Sequence, residues 1–356
     1  MSSYATASML VLLGGDGHRR PDQEDSMKWN SRLVTALSMM AVVFTVVPTH
    51  ATSCRKNGRI VWKGFVFADF STSAIYASDA DGADVQQLTF PDAGTEDDLP
   101  KWSPDGSRIV FERGFPTGLP ALVIEGMKWD GTGLHEIGDC SGNCLGNLGP
   151  DYSPSAAEIA FDKVLGTDAD HATNENIWVM NADGTNPRQL TKETIDQAAD
   201  VEPAWSPDGK WIAFTRQTPT AQALFLIRPD GTGLHRLTKW FINAGGADWS
   251  PDGKLIAFES YRDCCAGHVS QVYTISTEGS GTMHQLTSDG RNIEPGWSPN
   301  GKKIVFAHQP GKGPNQFADI YEMNADGTDI VTIITTDLWE SEPEWGTHTE
   351  ENSEFR

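Results

Sequence analysis

Positive charge is scarce in this sequence: 27 Lys and Arg stand against 49 Asp and Glu, for a formal net charge of −22 at pH 7. A surface of that sign repels phosphate backbones, so no nucleic-acid partner is expected, while cations and basic protein surfaces remain compatible. Residues 1–51 contribute nothing to the excess, because Asp16, Asp22, Glu24 and Asp25 balance Arg19, Arg20, Lys28 and Arg32. Long stretches with apolar residues at helical spacing are absent after residue 50, which argues against a helical core. The chain has no G-x-S-x-G nucleophile elbow, no H-E-x-x-H zinc motif and no Walker-type phosphate loop. Three common enzyme classes thereby lose their strongest sequence support. Cysteine is also sparse, at 5 residues.

The apolar run from Leu33 to Val47 is 15 residues, shorter than the roughly 20 needed to cross a bilayer. Lys28 and Arg32 precede it and the small residue Ala51 follows, which is the order of a secretory signal peptide over 27–51. Translation is expected to start at Met27, with 1–26 an upstream extension foreign to the native protein and 52–58 a short linker. The product is expected to be exported, to the periplasm or the secreted fraction; an uncleaved anchor is the alternative. Cys54 lies just behind the leader, where a cysteine can be acylated, but the leucine usual three positions before a lipobox cysteine is missing.

Glycine, proline and tryptophan are abundant, at 35, 20 and 12 residues, and they recur in register. WSPDGSRIVFER starts at Trp102, YSPSAAEIAFDK at Tyr152, WSPDGKWIAFTR at Trp205, WSPDGKLIAFES at Trp249 and WSPNGKKIVFAH at Trp297. The spacings are 50, 53, 44 and 48 residues, and a further 48 leads to Trp345 in PEWGTH. A period in the forties with four strands per repeat is the signature of a propeller blade.

Within each repeat the aromatic residue ends a first strand, Ser-Pro-Asp-Gly makes the turn, and an alternating I-x-F strand follows with one face expected to be buried. A third strand ends in a hairpin at Gly82, Gly131, Gly184, Gly231, Gly279 or Gly327, before a short fourth strand such as VQQLT or PRQLT. GRIVWKGF at 58–65 reads as a second strand without a first, and PEWGTH as a first strand without a second. The expected fold is therefore all-β: a six-bladed β-propeller over 59–347, four antiparallel strands per blade. Its ring would be closed by the C-terminal inner strand pairing in the N-terminal blade, and 348–356 would be a disordered acidic tail.

The W-S-P-D-G-x-x-I-x-F and N-A-D-G-T units resemble the propeller repeats of the TolB family over nearly the whole of 59–347. Similar blades occur in oligogalacturonate lyases and in the propeller domains of some serine peptidases. TolB carries an α/β domain ahead of its propeller, and no counterpart is expected here. What the resemblance implies is a protein-binding platform.

Candidate site residues follow from the repeat. EPAW, EPGW and EPEW place Glu202, Glu294 and Glu342 three residues before their tryptophans, with Asp98, Asp151 and Asp248 near the corresponding places of other blades. Inner strands line a propeller's channel, so these carboxylates should gather near its mouth, where several could hold a calcium ion through its roughly 6–8 oxygen ligands. The alternative is that each glutamate caps backbone N–H groups of the neighbouring blade. His135, His235 and His284 share a fourth-strand position with Gln86 and Arg188, which reads as a solvated outer edge. DADGAD at 79–84 and NADGTD at 324–329 read as turns, lacking the spacing and terminal glutamate of an EF-hand loop.

An oxidising compartment makes a local Cys140–Cys144 disulfide reasonable, whereas the pairing of adjacent Cys264 and Cys265 stays open. The least repeated segments, at 167–176, 261–271 and 308–319, should share one face and carry recognition of a protein or saccharide. The first functional expectation is a monomeric, noncatalytic binding platform of the envelope or secreted fraction. The second is a metal-dependent lyase or hydrolase acting on carbohydrate or a lactone in the channel.

Overall fold

The computed structural model describes residues 58–65, 71–116, 121–166, 175–192, 198–261, 269–278, 281–310 and 317–347. The extension and leader at 1–51, most of the linker with Cys54, the Cys264 and Cys265 pair, and the tail at 348–356 lie outside them. So do large parts of the three least repeated segments. Among the described residues no helix is long and apolar enough to cross a membrane.

The architecture is all-β and consistent with a propeller: antiparallel four-stranded units follow one another along the chain. Strands β1 (Ile60–Phe65), β2 (Ser73–Ser78) and β3 (Gln86–Gln87) begin it. Next come β4 (Glu96–Trp102), β5 (Arg108–Gly114), β6 (Leu122–Lys128) and β7 (His135–Ile137), then β8 (Cys144–Tyr152), β9 (Glu158–Leu165), β10 (Asn176–Asn181) and β11 (Arg188–Gln189). They are followed by β12 (Ala199–Trp205), β13 (Ile212–Thr218), β14 (Ala221–Ile227) and β15 (His235–Arg236), and by β16 (Ala244–Trp249), β17 (Leu255–Ser260), β18 (Gln271–Ser276) and β19 (Met283–Gln285). The last are β20 (Arg291–Trp297), β21 (Lys303–Gln309), β22 (Asp319–Asn324), β23 (Val331–Ile334) and β24 (Glu340–Trp345). β24 does not start a unit of its own; it pairs antiparallel with β1, with Ile60 opposite Trp345 and Gly64 opposite Glu340.

Local chemistry fixes the turns. After the first strands β4, β8, β12, β16 and β20 the Ser hydroxyl accepts the N–H five residues on, as in Arg108 N–H to Ser103 Oγ at 2.9 Å and Trp211 N–H to Ser206 Oγ at 2.9 Å. In the hairpins between third and fourth strands an Asp Oδ1 accepts the N–H two residues on: Asp81 from Ala83, Asp183 from Thr185 and Asp326 from Thr328. That side-chain turn accounts for the D-G signature without a cation. His135, His235 and His284 lie exposed in the fourth strands β7, β15 and β19.

The alternating strands bury both faces rather than one. In β13, Ile212 and Phe214 pack with Ile177 and Val179 of the preceding unit, while Ala213 packs with Ile256 and Phe258 of the following one. Each sheet is sandwiched between two others, so large residues fill one side and small ones admit the neighbour on the other. Every major core cluster spans consecutive units, and one of them joins Ile293, Val305 and Ile320 to Ile60, Trp62 and Trp345. The first strands pack serially, β4 on β8, β8 on β12, β12 on β16, β16 on β20, β20 on β24 and β24 on β4. Gly346 lies so close over Trp102 that a Cβ there would stand 2.6 Å from the indole.

Removing residues from Glu340 onward strips β1 of one of its two backbone partners and takes Trp345 from the cluster that packs Trp62. We expect cooperative thermal unfolding to be lost in that variant, and Trp345→Ala to lower unfolding free energy by about 3–5 kcal/mol, read by urea denaturation. A truncated chain that melts like the full one would overturn this role of β24.

Candidate functional site at the first strands

Each first strand breaks its ladder in the middle. The register with the second strand shifts there, and one residue takes a left-handed conformation: Leu99 (φ 50°), Gly149 (52°), Glu202 (53°), Gly246 (59°), Glu294 (54°) and Glu342 (56°). Proline follows in all but one, at Pro100, Pro150, Pro203, Pro295 and Pro343, where its missing N–H suits a bulge. A non-glycine residue held this way costs about 1–3 kcal/mol, so neighbouring structure must hold it in place.

A carboxylate from the preceding unit does so by accepting the bulge N–H. Leu99 N–H donates to Glu342 Oε2 at 2.6 Å, Gly149 to Glu112 Oε2 at 3.2 Å and Glu202 to Asp162 Oδ1 at 3.1 Å. Gly246 N–H donates to Glu202, Glu294 N–H to Glu259 Oε2 at 3.3 Å and Glu342 N–H to Glu294 Oε2 at 2.7 Å. The acceptor comes from one of two places. Glu112, Asp162 and Glu259 follow the phenylalanine of a second strand, and in those units the bulge residue is Leu99, Gly149 or Gly246. Where the second strand instead has Lys63, Thr215 or Ala307, the bulge residue is itself the acid, Glu342, Glu202 or Glu294. Each unit thus supplies one carboxylate to the next.

A second set of contacts lies one residue before the aromatic. Asp151 Oδ2 accepts Trp205 N–H and Asp248 Oδ2 accepts Trp297 N–H, both at 2.6 Å. Glu344 pairs with Lys101 at 2.8 Å, and Lys101 also feels Asp248 and Asp151. Lys63, fully buried, lies 2.6 Å from Asp98 Oδ1 and 3.7 Å from Glu342 Oε1. Burial works against both ammonium groups, yet the surrounding acids hold them above the ordinary lysine value.

Burial is the main force on the acids too, and it outweighs their N–H bonds. It pushes Glu342 up to about 8 and Glu294 and Glu259 to about 7, helped by neighbouring carboxylates. Asp151 and Asp248 also rise to about 7, while Lys101 pulls the other way. Glu112, Asp162 and Glu202 are raised for the same reason. The hydrogen bonds of these acids tie one unit to the next.

Glu202, Glu294 and Glu342 are therefore placed against backbone N–H groups of following units, and Asp98 against Lys63. Among the described residues no group of three or more His, Cys, Asp and Glu side chains is arranged to hold a metal ion. Cys140 and Cys144 are joined, S–S 1.98 Å, where β8 begins. Sequence reasoning missed Glu112, Asp162, Glu259, Lys63 and Lys101. The signal for the first three was present, as the residue after phenylalanine in IVFE, IAFD and IAFE.

A family profile described as the TolB beta propeller domain matches residues 59–349. Uncharacterized protein Atu1656 of Agrobacterium fabrum is 31% identical over 147 residues, 41% of this chain and 47% of that protein. Tol-Pal system protein TolB of Anaeromyxobacter dehalogenans strain 2CP-C is 34% identical over 106 residues, 30% of this chain and 21% of that one. The aligned parts thus span less than half the length of either relative. The crystal structure of TolB from Acinetobacter baumannii superposes with TM-score 0.65 at 20% identity, over 82% of this chain and 67% of that chain. An oligogalacturonate lyase in complex with manganese superposes with TM-score 0.53 at 14% identity, over 79% and 74% of the two chains.

Glu202→Ala removes the acceptor of Gly246 N–H and is expected to destabilise by about 1–3 kcal/mol. Adding Thr215→Glu supplies the acid from the second strand, as in other units, and should restore at least half of the loss in urea denaturation; a purely additive second loss would refute the exchange. Because the folded state keeps protons on acids that the unfolded chain releases near pH 4.5, stability should fall as pH rises from about 4.5 to 8 and level off above. Melting temperatures at pH 5.5, 7 and 8.5 check the sign, and a steady rise with pH would contradict it.

Proposed function

The chain belongs to the TolB beta propeller domain family, and from that premise we propose that it works outside the cytoplasm as a noncatalytic platform for a protein partner. In this reading residues 59–347 form a monomeric six-bladed ring, closed by β24 on β1, behind a leader removed near Ala51. The relative from Anaeromyxobacter dehalogenans is named as a protein of the Tol-Pal system, which supports a partner of protein class.

The observation that carries the reading is the pair of exposed phenylalanines on connections between units. Phe90, 78% exposed, lies between β3 and β4, and Phe241, 64% exposed, lies between β15 and β16. Both connections join a fourth strand to the next first strand, so in a propeller they emerge on the same face. Phe241 also has the Lys239 ammonium 5.7 Å from its ring centroid, and exposed aromatic side chains are the type enriched at protein interfaces. The central acids are assigned to structure: each capping carboxylate already accepts a backbone N–H, and calcium at Glu202, Glu294 and Glu342 would have to compete with those bonds. The reading as a metal-dependent lyase or hydrolase has a likeness of fold behind it.

Affinity capture from an envelope extract with the intact protein tests this. A protein partner should be recovered and fall about tenfold with Phe90→Ser/Phe241→Ser, a loss of about 1.4 kcal/mol. Equal recovery by both forms, or turnover of a carbohydrate or lactone substrate that Glu202→Gln abolishes, would sink the proposal.

A further inference from the structure

We infer that the cleft between the turns 206–211 and 251–254 is a binding site for a neutral saccharide. Its volume is about 430 Å³, within the range of about 300–1,000 Å³ usual for small-ligand sites, and Trp211, Asp208, His235, Asp252, Lys254 and Thr277 line it. It lies at the Ser-Pro-Asp-Gly end of the strands, the end opposite to Phe90 and Phe241. A saccharide there goes beyond the protein partner proposed above.

The aromatic wall is peculiar to this unit. At the position of Trp211 the other repeats carry Arg59, Arg108, Glu158, Leu255 and Lys303. The indole is already oriented: the Arg228 guanidinium stands 5.0 Å from its centroid, and the His235 ring meets it edge-on at 5.2 Å. A flat apolar plate fixed before binding spares the ordering entropy a free side chain would lose. It suits the C–H face of a sugar ring.

The polar wall offers hydrogen bonds, and both of its aspartates are already paired with lysines. Asp208 accepts from Ser206 Oγ at 2.9 Å and Lys210 N–H at 3.0 Å, and pairs with Lys210 Nζ at 2.8 Å. Asp252 accepts from Ser250 Oγ at 2.8 Å and Lys254 N–H at 3.1 Å, with Lys254 Nζ at 3.4 Å. Carboxylates have about four lone-pair sites each, so both retain acceptor capacity. His235 must donate from Nδ1 to the Gly233 carbonyl, 2.8 Å away, which leaves Nε2 as its second polar atom. Thr277 Oγ1 donates to the Gly253 carbonyl at 2.9 Å and keeps its oxygen as an acceptor.

These groups discriminate between ligand classes. An anion would face Asp208, Asp252 and Glu278, whereas a cation would find the two aspartates paired with lysines and the indole beside Arg228. A polyhydroxyl ligand both donates and accepts, and it gains from the indole without needing net charge.

Calorimetry and tryptophan fluorescence with cellotetraose, maltotetraose and tetra-N-acetylchitotetraose test the site in the full chain, with hexalysine and tetragalacturonate as charged controls. At least one neutral probe should bind with Kd between about 10 μM and 1 mM, weakened about tenfold or more by Trp211→Ala and less by Trp211→Phe. Should Trp211→Ala fail to fold, Asp208→Asn and His235→Ala, both altering accessible side chains, are expected to weaken the same binding. The inference is overturned if no neutral probe binds up to about 10 mM, if binding ignores these substitutions, or if only a charged control binds. The titration needs no protein partner, so its failure leaves the platform reading standing.

Discussion

A carboxylate oxygen reaching from one sheet to a backbone N–H of the next is the contact on which this architecture turns. The bulge in each first strand frees that N–H, and the left-handed residue that makes the bulge is unfavourable by itself wherever it is not glycine. Accepting the N–H stabilises the bulge and fixes the neighbouring sheet at the same time. The hydrophobic clusters are non-directional and would tolerate sliding of one sheet over another; hydrogen bonds such as Glu342 Oε2 to Leu99 N–H at 2.6 Å set the depth at which they pack.

Acid is concentrated where burial penalises it most, and the penalty is divided between two devices. Burial favours the protonated form of several carboxylates, and Lys63 and Lys101 supply positive charge within the cluster. The two lysines come from different strands, β1 and β4, both of which touch β24. The strand that completes the sheet begun by β1 is thus also held by Glu342 and Glu344, each within 4 Å of a buried or half-buried ammonium.

Much of the strand grammar was legible because it is local. Ser-Pro-Asp-Gly and Asp-Gly turns fix their own geometry through side-chain hydrogen bonds two to five residues apart, as at Ser206 and Asp183. The partnership of Trp345 with Ile60 followed from two incomplete repeats. Burial on both faces was not legible from alternation, since Ala213 reads as a gap in an apolar stripe until a second sheet is laid against it. The site was half legible. Glu202, Glu294 and Glu342 stood out through the proline beside them, whereas Glu112, Asp162 and Glu259 sat unnoticed in second strands. Their equivalence exists only in space, because two different backbone positions deliver an oxygen to the same point. Lys63 and Lys101 gave no motif at all.

The pairing of β1 with β24 sets an order of events during biosynthesis. The opening strand must wait for nearly 280 further residues to be made before its partner exists. A ribosome-bound chain therefore holds its first sheet open until the final stretch has left the tunnel.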